Sequence, residues 1–354
     1  IIIIIINNNT QTKRSSHHTW EYVARNVMPI VSVVVYSVII IVGTVGNGLV
    51  IYVTGYRMKK SVNSIWFLNL ALADFIFTLF LIFPTIITSR QNQWPFGGFM
   101  CKFNNFVAVI SMFSSIFLLM VISLDRCLTV WVVVWAQNKR TIIKAQVTTV
   151  LVWLIAAICS APYASYRSVL TREGKEYCSY SPKTPVWTLT IFRFFVGFFI
   201  PFLVICASNV AIYVRARRLH GTRSNKSNRI IFAIIFAFFI CWLPFHVIQL
   251  LEIKGLTDKS FSIFVQLGGP ATVMLAFTNS CLNPILYVFM CDEFRKKLKR
   301  SLFLVLESAL SEEQLHSRSF SSHFSITSRR SEFAAPLQER QETKIHIHLS
   351  SHPL

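Results

Sequence analysis

Two polar groups lie inside long apolar segments of this chain, where each needs a partner or water. Asp74 carries a carboxylate, and Asn283 carries a carboxamide that directly precedes Pro284. Such groups are costly in hydrocarbon, so they usually face a protein interior or a wet cavity. Pro284 also removes a backbone donor and frees a carbonyl in its helix. These residues predict a helix bundle with a polar, deformable centre.

A second group of charged residues indicates a site for an anion. Arg193 lies between two phenylalanines near the end of an apolar segment, and Arg167 follows the preceding segment. A guanidinium offers two parallel donors to a carboxylate, so both arginines predict ligand contact. The alternative is that either side chain reaches the lipid headgroups. Glu252 is expected to bind a ligand amine or, equally, to pair with Lys254.

Composition places the chain in the membrane. It has 354 residues, of which 53% are hydrophobic and 14% charged, with a mean hydropathy of +0.53. Soluble domains carry roughly 25% charged residues, and a spanning helix needs about 20 apolar residues. The sequence predicts an all-α fold, a seven-transmembrane helix bundle. The predicted segments are Pro29–Thr54, Ser64–Thr88, Phe99–Val130, Ile142–Tyr163, Val186–Val214, Ile230–Leu251 and Phe261–Met290.

The distribution of Lys and Arg predicts the orientation. These residues are more frequent in one set of loops, which the positive-inside rule places in the cytoplasm. The N-terminus is then extracellular, the C-terminus cytoplasmic, and the chain a multi-pass plasma-membrane protein. We assign much of the net charge of +20 to contact with the lipid bilayer rather than with nucleic acid. The chain has no phosphate-binding Gly-Lys-Ser loop, zinc-protease motif or nucleophile elbow, so we predict no enzyme activity.

Two residues on the predicted outer side favour covalent modification. Cys101 and Cys178 both face the oxidising compartment, which predicts a disulfide bond; two free thiols are the alternative. Asn8 begins an Asn-Asn-Thr acceptor for N-glycosylation. The preceding run Ile1–Ile6 is too short for a signal peptide, and we expect a fragment edge or a gene-model artefact there.

Seven motifs fall one per predicted helix, in order. They are Asn47, Asp74, Asp125-Arg126-Cys127, Trp153, Pro201, Cys241-Trp242-Leu243-Pro244 and Asn283-Pro284-Ile285-Leu286-Tyr287. Over roughly residues 28–305 the chain resembles the rhodopsin-like G protein-coupled receptors. The resemblance implies a receptor that binds a ligand outside and moves its sixth helix to admit a heterotrimeric G protein inside.

The resemblance also implies an internal ion site. In that family a sodium ion lies against the carboxylate at the position of Asp74. Ser115, Asn279 and Asn283 match the supporting oxygen positions. The alternative is a protonated Asp74 that is hydrogen-bonded to Asn47 and Asn283. No other cofactor is expected.

A switch is expected nearer the cytoplasm. Trp242 stands two residues before Pro244, where a helix can bend, and Phe238 lies one turn further inward. Simple core packing of Trp242 is the alternative. Asp125 and Arg126 can form a local ion pair, from which the family frees the arginine on activation. The remaining switch residues, by the same resemblance, are Asn283, Pro284 and the inward-swinging Tyr287.

Shorter stretches narrow the resemblance to chemoattractant receptors. They are Met58-Lys59-Lys60-Ser61-Val62-Asn63, Trp66-Phe67-Leu68-Asn69-Leu70, Trp135-Ala136-Gln137-Asn138 and Asn279-Ser280-Cys281-Leu282-Asn283. The chain is more similar to the receptor for chemerin than to the receptors for formyl peptides. The latter carry an acid and a second arginine where this chain has Val109 and Leu189. Arg167, Arg193 and Glu252 match pocket positions of the former.

The expected ligand is a peptide or small protein with its carboxylate end near Arg193. The group resemblance implies an inhibitory G protein and roles in chemotaxis and the inflammatory response. Amine receptors of the family use an acid in the third helix, and this chain has none between Cys101 and Asp125, so no biogenic amine is expected to bind. The seventh segment has no lysine to which retinal could attach. Asn209, Val133 and Cys127 depart from the family pattern. The loss of a tyrosine at Asn209 raises an alternative, a scavenger or decoy receptor that internalises ligand with little G-protein signalling.

The predicted organisation has four parts. Residues 1–27 form an extracellular segment, 28–290 the bundle, 291–305 an amphipathic eighth helix and 306–354 a disordered cytoplasmic tail. Phosphorylation of a cluster in the tail would turn a basic stretch acidic and recruit arrestin. The cluster consists of Ser317, Ser319, Ser321, Ser322, Ser325, Thr327, Ser328 and Ser331. An unmodified linker is the alternative.

Overall fold

The computed structural model describes residues 22–220, 225–255, 262–290 and residue 296. Asn8, the tail 306–354 with its phosphorylation cluster, and the predicted eighth helix apart from Lys296 lie outside the described residues. From 285 to 290 only the backbone is described, so the predicted movement of Tyr287 is also outside them. The division into four parts stays a prediction.

Seven long helices make up the described bundle, and their order follows the predicted segments. They are α1 (Val23–Arg57), α2 (Val62–Ser89), α3 (Gly97–Trp131), α4 (Ile142–Ser165), α5 (Val186–Phe194, Phe195–Phe199 and Ile200–His220), α6 (Asn225–Gly255) and α7 (Ser262–Met290). A short helix, Val133–Lys139, lies between α3 and α4. The predicted all-α bundle is therefore confirmed, with helix ends that differ from the predicted ones by up to six residues at Val23.

The third helix is the central element of the bundle. Of its most apolar stretch 56% is buried, against 22% for α1 and α4. It packs against α2, α4 and α5, while α6 packs against α7. By length and composition α1 to α4 and the Val186–Arg215 part of α5 can each cross a bilayer, and α6 contributes the shorter apolar stretch Ala237–Ile253. The outward faces of α1 and α4 expose large apolar side chains such as Ile41 and Ile158, which suits contact with lipid.

Three helices depart from a regular α-helical path. In α2 a turn at Leu81 precedes Pro84, whose ring nitrogen cannot donate to the preceding turn. Wider π-helical turns occur at Val53–Arg57 in α1 and at Phe195–Phe199 in α5. Such turns redirect side chains and often occur at functional sites. The one in α5 begins two residues after Arg193.

A β-hairpin joins α4 to α5. Its strands, β1 (Arg167–Arg172) and β2 (Lys175–Tyr180), are antiparallel, with Arg172 opposite Lys175. Glu173 and Gly174 form the two-residue turn, both with positive φ, as the right-handed twist of a hairpin favours. Following the predicted orientation, we call the hairpin end of the bundle the outer end and the end that carries Asp125 the inner end.

Candidate ligand-binding site and transmembrane switch

A cavity of about 590 Å³ opens at the outer end between α3, α5, α6 and α7. Arg167, Arg193 and Glu252, the three residues predicted to contact ligand, all line it. Its floor is formed by Trp242, the predicted switch residue. The structure thus brings the candidate ligand contacts and the top of the candidate switch to one cavity.

Arg193 is connected to Glu252 through a residue that the sequence analysis did not single out. An Nη atom of Arg193 donates to Oε1 of Gln249, and Nε2 of Gln249 donates to Glu252 Oε2 at 2.9 Å. Phe245 and Tyr163 flank the guanidinium, with ring centroids 5.1 and 5.8 Å from its Cζ atom. The arrangement presents a cation and an anion on one wall, joined by an amide.

Arg167 approaches the same cavity from the hairpin. Its Cζ atom lies 3.9 Å from the centroid of the Tyr180 ring, which is a close cation–π contact. The Nε atoms of Arg167 and Arg193 are both buried and have no hydrogen-bond partner among the described residues. Burial lowers the pKa of Arg167, an effect that Tyr180 opposes. Two arginines whose guanidinium groups each have an Nε atom unpaired within the described ranges therefore line one cavity, which suits an anionic ligand group.

The apolar part of the cavity wall contains Val109 and Leu189, the two positions at which the resemblance implies an acid and an arginine in formyl-peptide receptors. Val109 of α3 and Leu189 of α5 both line the cavity and are 8% exposed. Neither can form the ion pairs that an acid and an arginine at these positions would form. The charged groups of the wall are accordingly on the hairpin, α5 and α6.

The predicted disulfide between Cys101 and Cys178 is present and connects α3 to β2. Beside it is a second cavity, of about 740 Å³, that shares four lining residues with the first: Ala108, Arg167, Ser179 and Phe277. Asn104 and Asn105 line this second cavity, and the Oδ1 atom of each is buried without a hydrogen-bond partner in the described part of the chain. The disulfide holds the hairpin where it forms a wall of both cavities.

Below the outer cavity, aromatic side chains connect α5 to α6. Phe198, in the π-helical turn of α5, stacks on Phe238 with ring centroids 6.0 Å apart and lies 4.8 Å from the ring of His246. His246 is 1% exposed and also contacts the Trp242 ring. Pro244 lies within α6 between these residues. A bend of α6 at Pro244 would therefore change the packing against the wide turn of α5.

The centre of the bundle holds the polar groups predicted from their depth. The Asp74 carboxylate accepts from Ser115 Oγ at 2.9 Å and from Asn283 Nδ2 at 2.5 Å, and Asp74 is 1% exposed. Asn47 instead donates to the backbone carbonyls of Gly43 and Ser280, at 2.9 and 3.0 Å. Asn279, predicted to support an ion, is also buried.

At the inner end, Asp125 is paired with a residue from the loop between α3 and α4. Arg140 donates to Oδ1 and Oδ2 of Asp125 at 2.9 and 2.7 Å and to Asn63 Oδ1 at 2.6 Å. Trp66 Nε1 adds a donor at 3.3 Å. The sequence predicts the adjacent Arg126 as the partner of Asp125, whereas Arg140 forms this pair in the structure. The role of Arg126 stays a prediction.

The sequence contains a local signal for Gln249 and for the hairpin, but none for Arg140. Gln249 stands seven residues after Trp242 and three before Glu252, so helical periodicity places all three on one face of α6. Gly174 after Glu173 is a turn signal, because glycine adopts positive φ without steric cost. Arg140 has no comparable local signal, because its partner is fifteen residues away.

Comparison with known proteins places these features in a family. Residues 46–287 match the seven-transmembrane receptors of the rhodopsin family. The chain therefore belongs to that family, whose members are membrane-spanning receptors and not enzymes. Their polar central residues and seven helices correspond to the architecture described above.

The curated proteins that are similar to this chain include receptors of the chemoattractant group. The chain is 41% identical over 323 residues to Chemerin-like receptor 1 of Sus scrofa, covering 85% of this chain and 87% of the relative. It is 40% identical to the C3a anaphylatoxin chemotactic receptor of Danio rerio, covering 80% and 78%, and 39% identical to Formyl peptide receptor 2 of Mus musculus, covering 81% and 87%. The chain is a G protein-coupled receptor of the chemoattractant group.

Proposed function

We propose that this chain is a cell-surface receptor for a chemoattractant peptide or small protein of the chemerin type. The observation that carries the proposal is that Arg167 and Arg193, each with an Nε atom unpaired among the described residues, line one cavity together with Trp242. The ligand's carboxylate end lies at Arg193, and its binding is transmitted through Trp242 and α6. The N-terminus faces outside and the C-terminus the cytoplasm.

The signalling partner is an inhibitory heterotrimeric G protein, and the outcome is chemotaxis and inflammation. Phosphorylation of the tail cluster and glycosylation of Asn8 complete the proposal, with arrestin as the second cytoplasmic partner. The switch comprises Phe238, Trp242, Pro244, Asn283, Pro284, Tyr287, Asp125 and Arg126. The similarity to named chemotactic receptors supports this output.

We also propose that a sodium ion binds at Asp74. A buried carboxylate, the Ser115 hydroxyl and the amides of Asn279 and Asn283 supply the oxygen atoms that a hard cation prefers. The buried Asn47 Oδ1 has no hydrogen-bond partner among the described residues. The ion would neutralise the carboxylate at a depth where water is scarce.

A decoy or scavenger receptor is the second candidate, and Asn209 favours it. Its Nδ2 atom donates to the Ile205 carbonyl of its own helix at 2.7 Å. An asparagine has no hydroxyl group, so Asn209 cannot replace the tyrosine hydroxyl that helps to hold the active state in the family. An assay of cyclic AMP and arrestin in cells, run with a synthetic peptide of the chemerin C-terminal sequence, separates the two. A fall in cyclic AMP supports the signalling receptor, whereas arrestin recruitment without it supports the decoy.

The ligand pose is tested by combining receptor and peptide changes. Amidation of the peptide C-terminus should weaken binding to the unmodified receptor by roughly tenfold to a hundredfold, because a charge-assisted hydrogen bond is lost. In Arg193→Ala the free acid should bind weakly and amidation should cost little. Arg90→Ala removes an exposed outer arginine and is the matched control. If amidation cost nothing in the unmodified receptor, the proposed pose would be wrong.

A further inference from the structure

Gln249 is positioned to form a hydrogen bond with the ligand next to the carboxylate that Arg193 is proposed to bind. Its Oε1 atom accepts from Arg193 and its Nε2 atom donates to Glu252. A cation on one side and an anion on the other fix the orientation of the amide, because only one orientation satisfies both neighbours. Gln249 also lines the outer cavity. Its acceptor is thus held beside the cation that the carboxylate is proposed to bind.

Carboxylate binding changes the partner of that acceptor. A carboxylate that takes two parallel donors of Arg193 competes with Gln249 for the guanidinium. The Gln249 Oε1 atom then needs another donor, because an unpaired acceptor in a half-buried site is unfavourable. Its Nε2 atom stays bonded to Glu252, so the amide cannot simply turn over. A donor on the ligand, placed next to its carboxylate, would fill this role.

A peptide C-terminus supplies both groups within one residue. Its carboxylate is an anion, and its last backbone N–H is a donor separated from the carboxylate carbon by a single Cα atom. We propose that Gln249 is a specificity-determining residue whose Oε1 accepts from this N–H while Arg193 binds the carboxylate. The site then selects peptides with a free C-terminus over carboxylates that lack an adjacent N–H, such as fatty acids. This inference rests on the proposed function.

The test removes the donor from the ligand and the acceptor from the receptor in turn. The probes are the synthetic peptide of the chemerin C-terminal sequence with a free carboxylate, and the same peptide with its last backbone nitrogen methylated. The receptors are the unmodified chain, Gln249→Met, which keeps side-chain length without an amide, and Gln146→Met. The control Gln146 is exposed near the start of α4.

Methylation should raise the Kd by roughly twofold to tenfold in the unmodified receptor and in Gln146→Met, as expected for one neutral hydrogen bond. In Gln249→Met the acceptor is absent, so methylation of the peptide should raise the Kd by less than about twofold. Gln249→Glu gives a second measure if the methionine variant does not reach the surface. It keeps an accepting oxygen, so sensitivity to methylation should remain while the free acid binds less tightly through like-charge repulsion.

Failure of the inference differs from failure of the proposed function. An equal cost of methylation in the unmodified receptor and Gln249→Met, with amidation still costly, would overturn the role of Gln249 alone. The absence of any amidation effect would instead overturn the carboxylate pose. Binding of a fatty acid at the affinity of the free peptide, lost in Arg193→Ala, would also overturn the inference.

Discussion

At the scale of single residues, the Asp125 carboxylate shows how tertiary contact changes a local expectation. The neighbouring Arg126 is the partner that the sequence suggests, but both oxygens of Asp125 accept from Arg140. The side chains of Arg140 and Asp125 are only 21% and 11% exposed, so this pair is more than a surface ion pair. It also ties the loop after α3 to Asn63 at the start of α2.

Replacing Arg140 should destabilise the receptor. Arg140→Ala leaves a largely buried carboxylate without its cation, and we expect a loss of about 1.5–3 kcal/mol in the free energy of unfolding, as for hydrogen bonds to charged groups. Arg140→Lys should lose less, since it keeps the charge but not the planar fork. Thermal unfolding of purified receptor measures the effect. The neighbouring, exposed Lys139→Ala is the control, and equal losses in both alanine variants would contradict the prediction.

The Asp74 carboxylate is the second residue with a testable charge. If sodium binds there, raising the sodium concentration should lower agonist affinity in the unmodified receptor, because the ion favours the inactive arrangement. In Asp74→Asn this dependence should disappear, since the charge that attracts the ion is gone. Competition binding in sodium and in a large organic cation at constant ionic strength measures it. Insensitivity to sodium in both receptors would exclude the ion site.

At the scale of elements, the hairpin has the largest effect on the ligand site. It is not covered by helical periodicity, and it contributes Arg167 and Tyr180 to the cavity wall. Two features hold it in place. The Cys101–Cys178 disulfide connects β2 to α3, and the Trp94 backbone N–H donates to the Glu176 carbonyl at 2.8 Å.

Loss of the disulfide should impair ligand binding more than it impairs helix packing. Cys178→Ser frees a hairpin that carries Arg167, and removal of a native disulfide typically costs about 2–5 kcal/mol. We expect reduced surface expression and loss of high-affinity peptide binding at the receptors that remain. Cys127→Ser removes a cysteine without a disulfide bond and should bind normally. Mass spectrometry should find Cys101 and Cys178 alkylated only after reduction, and labelling without reduction would count against the bond in cells.

At the scale of the whole molecule, the bundle is a membrane protein with a polar axis. Apolar side chains cover α1 and α4 on the outside, while Asn47, Asp74 and Asn283 are buried inside. Three sets of contacts follow one another from the outer to the inner end. They are the hydrogen bonds that join Arg193, Gln249 and Glu252, the aromatic contacts around Trp242, and the Asp125–Arg140 pair. Trp242 and Phe238 belong to one buried core cluster that extends along α3 to Ile122, near the inner end.

The orientation of this bundle can be checked directly. A cysteine at the exposed hairpin turn, Glu173→Cys, should react with a membrane-impermeant maleimide on intact cells, because the positive-inside rule places the hairpin outside. Lys139→Cys, in the exposed loop helix, should react only after permeabilisation. The unmodified chain measures background labelling. The opposite pattern would reverse the predicted topology.

Much of the fold follows from the chain alone. Seven apolar segments of spanning length specify the helices, because unpaired backbone groups are not tolerated in lipid. Their order and the position of Asp74 predicted the family, and the compartment predicted the disulfide. Helix ends were less well predicted, as at Val23 and Gly255, since hydrophobicity falls gradually where a helix leaves the bilayer.

Local sequence determined which polar side chains lie deep in a membrane-spanning segment, because that depth depends only on the neighbouring residues. Only the tertiary structure decided which groups meet. Gln249 between Arg193 and Glu252, and Arg140 rather than an adjacent residue on both oxygens of Asp125, are two such contacts. The first contact depends on the packing of α5 against α6, and the second on where the loop after α3 folds back, and both are set by residues far apart in sequence.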